Sequence, residues 1–240
     1  MLNNFINKFS EDSMNLKSTV NASGRFSFQE KEMKRIVPEI FKILELKPYE
    51  TLLDIGCNCG DITIPLSFLC DKVTVIDGGG AIERIKRRTN DHDNFTYIKG
   101  EFLAINLKEK FDCILAYSVL MYVEPFERKL EFILKAADML KPGGRLLIGD
   151  IVNSDRKYRF ANTEKGQAVN KVYRENLKKL TIEDRIKLEH DKPVENILND
   201  AQLMEILLKV REKGFESYLL PQSSSLPFGY TRDDILIKAW

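Results

Sequence analysis

The chain has 240 residues, 43% of them hydrophobic and 30% charged, and a formal net charge of +1 from 37 Lys plus Arg against 36 Asp plus Glu. This length suits one α/β domain with a decorated edge, and the even charge balance lacks the basic excess of a nucleic-acid binder. No run of about 18 apolar residues offers a membrane span.

The start, "MLNNFINKFSEDSMN", lacks a basic leader followed by an apolar core, so no secretory signal is expected. Residues 1–25 are polar, and the first dozen or so are expected to fray. Residues 27–45 place Met33, Ile36, Val37, Ile40, Phe41 and Leu44 at helical spacing, with Pro38 kinking or splitting the helix. Strands and helices then alternate. "TLLDIG" (51–56) reads as a strand and Asp61 to Cys70 as a helix. "KVTVID" (72–77) is a strand, followed by the helix "AIERIKRRTN" (81–90). "FTYIKG" (95–100) and "FDCILAYS" (111–118) are the third and fourth strands. "PFERKLEFILKAADML" (125–140) is a long amphipathic helix stopped by "KPGG", and "RLLIGDIV" (145–152) is the fifth strand. Strands separated by helical patterns imply right-handed crossovers and a parallel sheet with helices on both faces.

The rhythm breaks at residue 153. Residues 153–199 are polar and partly helical, an insertion springing from the edge where open α/β sheets bind ligands, and hence a candidate lid. Its residues 151–190 hold ten Lys plus Arg against six Asp plus Glu, which suits an anionic or phosphorylated substrate. The pattern resumes with a helix at 200–214 capped by Asp200, the strand "FESYLLP" (215–221) and the terminal strand "DDILIKAW".

The most informative stretch is "LLDIGCNCGDITIPL" (52–66). It ends a buried strand in Asp54 and turns through Gly56, Cys57, Asn58 and Gly60. The spacing is not the G-x-G-x-x-G of a dinucleotide loop, and no Lys–Ser/Thr pair follows as in a Walker loop. Cys57 and Cys59 form C-x-C without a second ligand pair, so no metal is expected and both read as small loop residues. Cys70 and Cys113 lie in apolar runs as buried thiols, and a reducing cytoplasm fits.

The pattern D-x-G-x-N-x-G resembles motif I of class I S-adenosylmethionine (SAM)-dependent methyltransferases. Four further stretches resemble that family in its order: "VTVID", "YIKGEF", "FDCILAYSVLMYV" and "LKPGGRLLIGD". The resemblance covers about residues 30–152 and resumes near 200. It implies a Rossmann-like, doubly wound, mostly parallel seven-stranded sheet with an antiparallel last strand. One domain would comprise an N-terminal helical segment (1–45), a SAM-binding core (46–152), the lid (153–199) and a C-terminal helix and strand pair (200–240).

The resemblance also implies roles. Asp54, Gly56, Cys57, Asn58 and Gly60 would cradle the amino-acid end of SAM, with Asp54 facing its ammonium and Asn58 standing where the family often has glycine. Asp77, beside Gly78, would take the ribose hydroxyls; Glu101 would lie near the adenine amino group and Phe102 against its ring. Tyr117 could face the sulfonium, and Arg25 the cofactor carboxylate. Many relatives carry histidine where this chain has Met121, Tyr122 and Val123. The base candidates are Asp150, His190 and Tyr122, in that order. Asn153, Arg156, Arg159, Tyr230 and Arg232 are the substrate-binding candidates. His92 reads as a solvated surface residue.

The activity so implied is methyl transfer to an oxygen or nitrogen of a small molecule, releasing S-adenosyl-L-homocysteine (SAH). The stretch "LLIGDIVNSDRKYRF" resembles enzymes of bacterial surface-glycan clusters, which suggests a sugar, a phosphoramidate or another phosphate-bearing capsule precursor. No N-P-P-Y or D-P-P-Y loop for nucleic-acid amino groups is present. The oligomeric state is left open. The alternatives are an NAD(P)-type oxidoreductase and a non-catalytic partner subunit of the same fold.

Overall fold

The computed structural model describes residues 2–90, 92–190 and 197–240. Seven strands form one sheet: β1 (Thr51–Ile55), β2 (Lys72–Asp77), β3 (Phe95–Lys99), β4 (Phe111–Tyr117), β5 (Leu140–Val152), β6 (Glu216–Pro221) and β7 (Arg232–Lys238). Their spatial order is β3-β2-β1-β4-β5-β7-β6. The first five pair in parallel, and β7 alone runs antiparallel to both its neighbours. The doubly wound fold with an antiparallel last strand is therefore as the sequence implies.

Both faces of the sheet are covered, so its central strands are apolar on consecutive residues rather than alternate ones. Leu52 and Leu53 are both fully buried but enter different clusters. Leu52 packs with Ile40, Leu66 and Ile82, and Leu53 with Ile133, Ile206 and Ile237.

The helices depart from the sequence reading in instructive ways. The first residues are not frayed: α1 (Leu2–Asn15) is a helix. It lies along α6 (Gly79–Arg88), and Arg84 donates to the carbonyls of Ser13, Leu16 and Lys17, groups that a helix end leaves without intrahelical partners. A short α2 (Thr19–Ala22) follows. The expected 27–45 helix is split into a 3-10 turn, α3 (Glu30–Met33) and α4 (Ile36–Leu44). Pro38 sits in the first turn of α4, where its missing N–H costs no helical bond. The helix after β1 is shorter than expected, α5 (Thr63–Ser67), whereas α7 (Phe126–Asp138) is close to its expected span. Residues "KPGG" do not separate helix from strand: β5 begins at Leu140 and carries them in an irregularity opposite Phe111 and Cys113.

The insertion forms α8 (Ser154–Ala161), α9 (Glu164–Leu177) and α10 (Ile182–His190), before α11 (Asp200–Glu212), which is capped by Asn199 rather than Asp200. The Asp184 carboxylate on α10 accepts from the backbone N–H of Ser27 and the amide of Asn21. These residues flank Arg25, so the insertion holds the N-terminal segment in place.

A second irregularity matters for the site. Ile148 pairs with Ile235 and Ile151 with Asp233, so β5 carries one extra residue there. Asp150 lies in this bulge at φ 60°, a left-handed conformation. Such bulges re-aim a side chain. Truncation at the helix clasp, Arg84→Ala, is expected to free α1. Tryptic cleavage after Lys17 should run at least about fivefold faster, the factor equivalent to ~1 kcal/mol of local opening, with little change in the global denaturation midpoint.

Candidate functional site

The chain ends of β1, β2 and β4 converge on a cleft enclosing about 1190 Å³ of space, part of it open to solvent. Gly56, Cys57, Asn58, Asp77, Gly78, Glu101, Phe102, Tyr117, Tyr122 and Arg25 all line it, so most of the residues singled out in the sequence come together here.

At one wall Asp77 is half-buried and each of its carboxylate oxygens takes a backbone N–H: Oδ2 from Asn58 at 2.7 Å, and Oδ1 from Gly78 at 2.6 Å. This ties the loop after β1 to the loop after β2. A carboxylate oxygen can accept more than one bond, so capacity for two hydroxyls remains. Burial pushes the Asp77 carboxyl up from its ordinary range, with the two N–H groups opposing the shift. Asn58 adopts φ 46°, the left-handed conformation that glycine enters freely and asparagine tolerates. Its side chain donates to the Ala22 carbonyl and accepts from the Cys59 N–H, locking the loop to the N-terminal segment.

The far wall is apolar. Phe102 meets Phe132 edge-on, with ring centroids 4.9 Å apart, and Glu101 is paired with Arg128 at 2.7 Å. Over the mouth, Phe9 from α1 packs edge-on against Tyr122, centroids 5.0 Å apart. Phe9 lies in the stretch whose sequence predicts fraying, and only the packing of α1 brings it to the cleft. The buried Tyr117 hydroxyl accepts from Gln222, and burial raises its pKa well above the ordinary range.

Several expectations are corrected. Asp54 does not line the cleft: it is buried beneath the loop, where its carboxylate accepts from the Thr63 hydroxyl. Gly60 does not line it either; a Cβ there would run into Ile85, so this glycine serves the packing of α6. Asn153 caps α8, accepting from the N–H groups of Asp155 and Arg156 and donating to Asp200 and Asp233. Arg156 pairs with Asp233 and Arg159 with Asp200, so these two arginines of the insertion are engaged in ion pairs within the protein. Tyr230 stacks on Phe160 at 4.7 Å, outside the cleft. His92 is half-buried against Phe68 and Phe95 rather than free in solvent. His190 ends α10, and its side chain lies outside the described residues.

Asp150 and Arg232 stand in one buried polar group with Arg25. Asp150 Oδ2 accepts from an Arg25 guanidinium N–H and, at 2.6 Å, from the Ser118 hydroxyl. Ser118 also accepts from Arg25 at 2.9 Å. Arg232 Nε lies 3.6 Å from Asp150 Oδ1. The Asp150 carboxylate thus lies between two guanidiniums, with the Ser118 hydroxyl on the Arg25 side.

The chain matches the family described as Nodulation protein S (NodS) over residues 15–195. It belongs to the NodS family. Nodulation protein S of Rhizobium tropici is 30% identical over 119 residues, covering 49% of this chain and 50% of that protein. The Bradyrhizobium diazoefficiens protein of the same name is 31% identical over 98 residues, covering 40% and 47%. The chain thus spans about half the length of the curated relatives it matches. Among solved structures, N-methyltransferase NodS from Bradyrhizobium japonicum WM9 in complex with SAH aligns at TM-score 0.52 and 20% identity, over 89% of this chain and 96% of that one. Haemonchus contortus phosphoethanolamine N-methyltransferase 1, in complex with phosphoethanolamine and SAH, aligns at 0.69 and 15%, over 99% and 48%. The resemblance to class I SAM-dependent methyltransferases read from the motifs accordingly holds at the level of family and fold.

In this NodS-family chain the buried Asp54 offers a test of the cradle. Burial pushes its carboxyl up from 3.8 to about 7, with Thr63 opposing. The folded state therefore favours the neutral acid. That contribution to stability is complete below the unfolded value and is lost as pH rises through about 7. Asp54→Asn removes the ionisable group. Urea unfolding should show the variant gaining on the parent between pH 5 and pH 8, by up to roughly 2.5 kcal/mol; a constant difference would contradict the assignment.

Proposed function

We propose that this protein transfers a methyl group from SAM to a nitrogen or oxygen of a small anionic molecule and releases SAH. The observation that carries the reading is the Asp77 carboxylate at the tip of β2, fixed by two backbone N–H groups beside a glycine-bounded loop. The cleft runs from there to an apolar slot at Phe102 and Phe132, the distribution that a ribose next to an adenine ring requires. The family and the methyltransferase fold support the same chemistry. The words N-methyltransferase in the names of two structural relatives favour nitrogen as the acceptor, and the phosphoethanolamine bound by one of them favours an anionic substrate class. A setting in bacterial glycan or capsule biosynthesis, with a phosphoramidate or phosphate-bearing precursor, rests on the "LLIGDIVNSDRKYRF" stretch.

In the transfer, an acceptor lone pair forms the new bond to the methyl carbon. The carbon–sulfur bonding pair returns to sulfur, leaving a neutral thioether. The sulfonium is already activated, so holding the two reacting atoms close and in line supplies much of the rate. Tyr122 lines the cleft beneath Phe9 and is the candidate to orient the acceptor or receive its proton. Asp150 then acts through the arginines that it positions.

Calorimetric titration with SAH and with NAD tests the reading. SAH should bind and NAD should not; the reverse would assign an oxidoreductase, and binding of neither would favour a non-catalytic subunit of this fold. Asp77→Ala should weaken SAH by at least about tenfold, since a hydrogen bond to a charged group contributes roughly 1.5–3 kcal/mol. Tyr122→Phe should lower kcat by about 10²-fold while leaving SAH affinity within about twofold; unchanged turnover would remove Tyr122 from the chemistry.

A further inference from the structure

Beyond the cofactor cleft lies an unsaturated cationic site. Arg25 and Arg232 share one carboxylate, Asp150. Both guanidiniums face the ring of Phe228, with Cζ at 5.8 Å and 5.3 Å from its centroid. The neighbouring acids do not complete the pairing. Asp233 is taken by Arg156 and Asn153. Asp234 accepts from the Asp150 N–H and from Gln222, and burial pushes its carboxyl up to about 7. Arg25 Nε and Arg232 Nη1 are buried without a hydrogen-bond partner, while Arg232 Nε and Asp150 Oδ1 meet each other only at 3.6 Å. Unpaired buried donors on a charged group are costly. Three residues of this group, Ser118, Asp150 and Phe228, hold φ near +60° without being glycine. Residues kept in that conformation cluster at ligand clamps.

We propose that Arg25 and Arg232 form the receptor for one anionic group, a carboxylate or a phosphate, of the methyl acceptor, with Asp150 as the built-in counter-ion. The proposal rests on the methyltransferase reading and moves substrate recognition from the insertion's basic face to this buried pair. An anion accepting from Arg25 Nε and Arg232 Nη1 would complete the hydrogen bonding that Asp150 leaves open on the two guanidiniums. Arg25 lines the cofactor cleft, whereas Arg232, Phe228 and Asp150 do not. The anion therefore sits at the end of the cleft, next to Tyr117 and Tyr122, both of which couple electrostatically to the two arginines. The methyl acceptor would be held by its acidic end beyond the cofactor, with its nucleophilic end directed back towards the methyl group. The cofactor's own carboxylate is the other source of such an anion.

The two sources separate by titrating inorganic phosphate into protein saturated with SAH, at pH 6.5. Phosphate should bind the parent. Arg232→Gln should weaken phosphate by about tenfold or more while SAH affinity stays within about twofold. Asp150→Asn, which removes the competing carboxylate, should strengthen phosphate. That gain is a change of opposite sign, which a misfolded variant would not produce. Phosphate that fails to bind the parent, or affinities that do not change in either variant, would overturn the proposal. Loss of SAH binding in Arg232→Gln with phosphate unaffected would assign the pair to the cofactor carboxylate and also overturn it. Failure of the parent to bind SAH would strike the methyltransferase reading instead, and phosphate binding without SAH would still report on the arginine pair.

Discussion

One buried carboxylate holds together segments far apart in the chain. Asp150 sits in a bulge of β5 and meets Arg25 from the N-terminal segment, Ser118 from the end of β4 and Arg232 from the start of β7. Removing a charge from water costs several kcal/mol unless it is matched by an opposite charge and by hydrogen bonds. Asp150 Oδ2 is so matched, by a guanidinium and a hydroxyl. The arrangement therefore forces the N-terminal segment across the carboxyl ends of the strands, and the same segment supplies Phe9 to the cleft. Asp184 of the insertion braces it from the other side, through Asn21 and Ser27.

Asp77 makes the complementary tie. By accepting the N–H groups of Asn58 and Gly78 it fixes the two loops that flank the cleft. Both ties are hydrogen bonds within the protein that fix the walls of the cleft. Such preorganisation lowers the ordering cost of binding.

The core of this architecture was legible in the sequence because its signals are local. Consecutive leucines in "TLLDIG" announce a strand buried on both faces, and Asp54, Gly56, Asn58, Gly60 and Asp77 occupy fixed places around one turn. Asn58 in the left-handed conformation is what its place in that pattern called for. What could not be read depends on contacts across the fold. Residues 2–15 look polar in isolation and become a helix against α6 because Arg84, some 70 positions away, satisfies the carbonyls at its end. Arg156 and Arg159 look like a substrate patch until Asp233 and Asp200 are seen beside them. Arg25 and Asp150 are separated by 125 positions, and no spacing rule connects them.

This difference explains why the residues that line the cleft after β1 and β2 were easier to read from the sequence than the group around Asp150. The cofactor end is built from loops that follow consecutive strands, so its residues keep motif order. The proposed acceptor end is built where the N-terminal segment and the ends of β4, β5 and β7 meet, and each contributes one residue, Arg25, Ser118, Asp150 and Arg232, to a shared polar group. In such a group the number of charges is more informative than their identity. Two guanidiniums on one carboxylate leave a net positive charge and unpaired donors among buried atoms. An acidic group on the ligand is the chemistry that balances both.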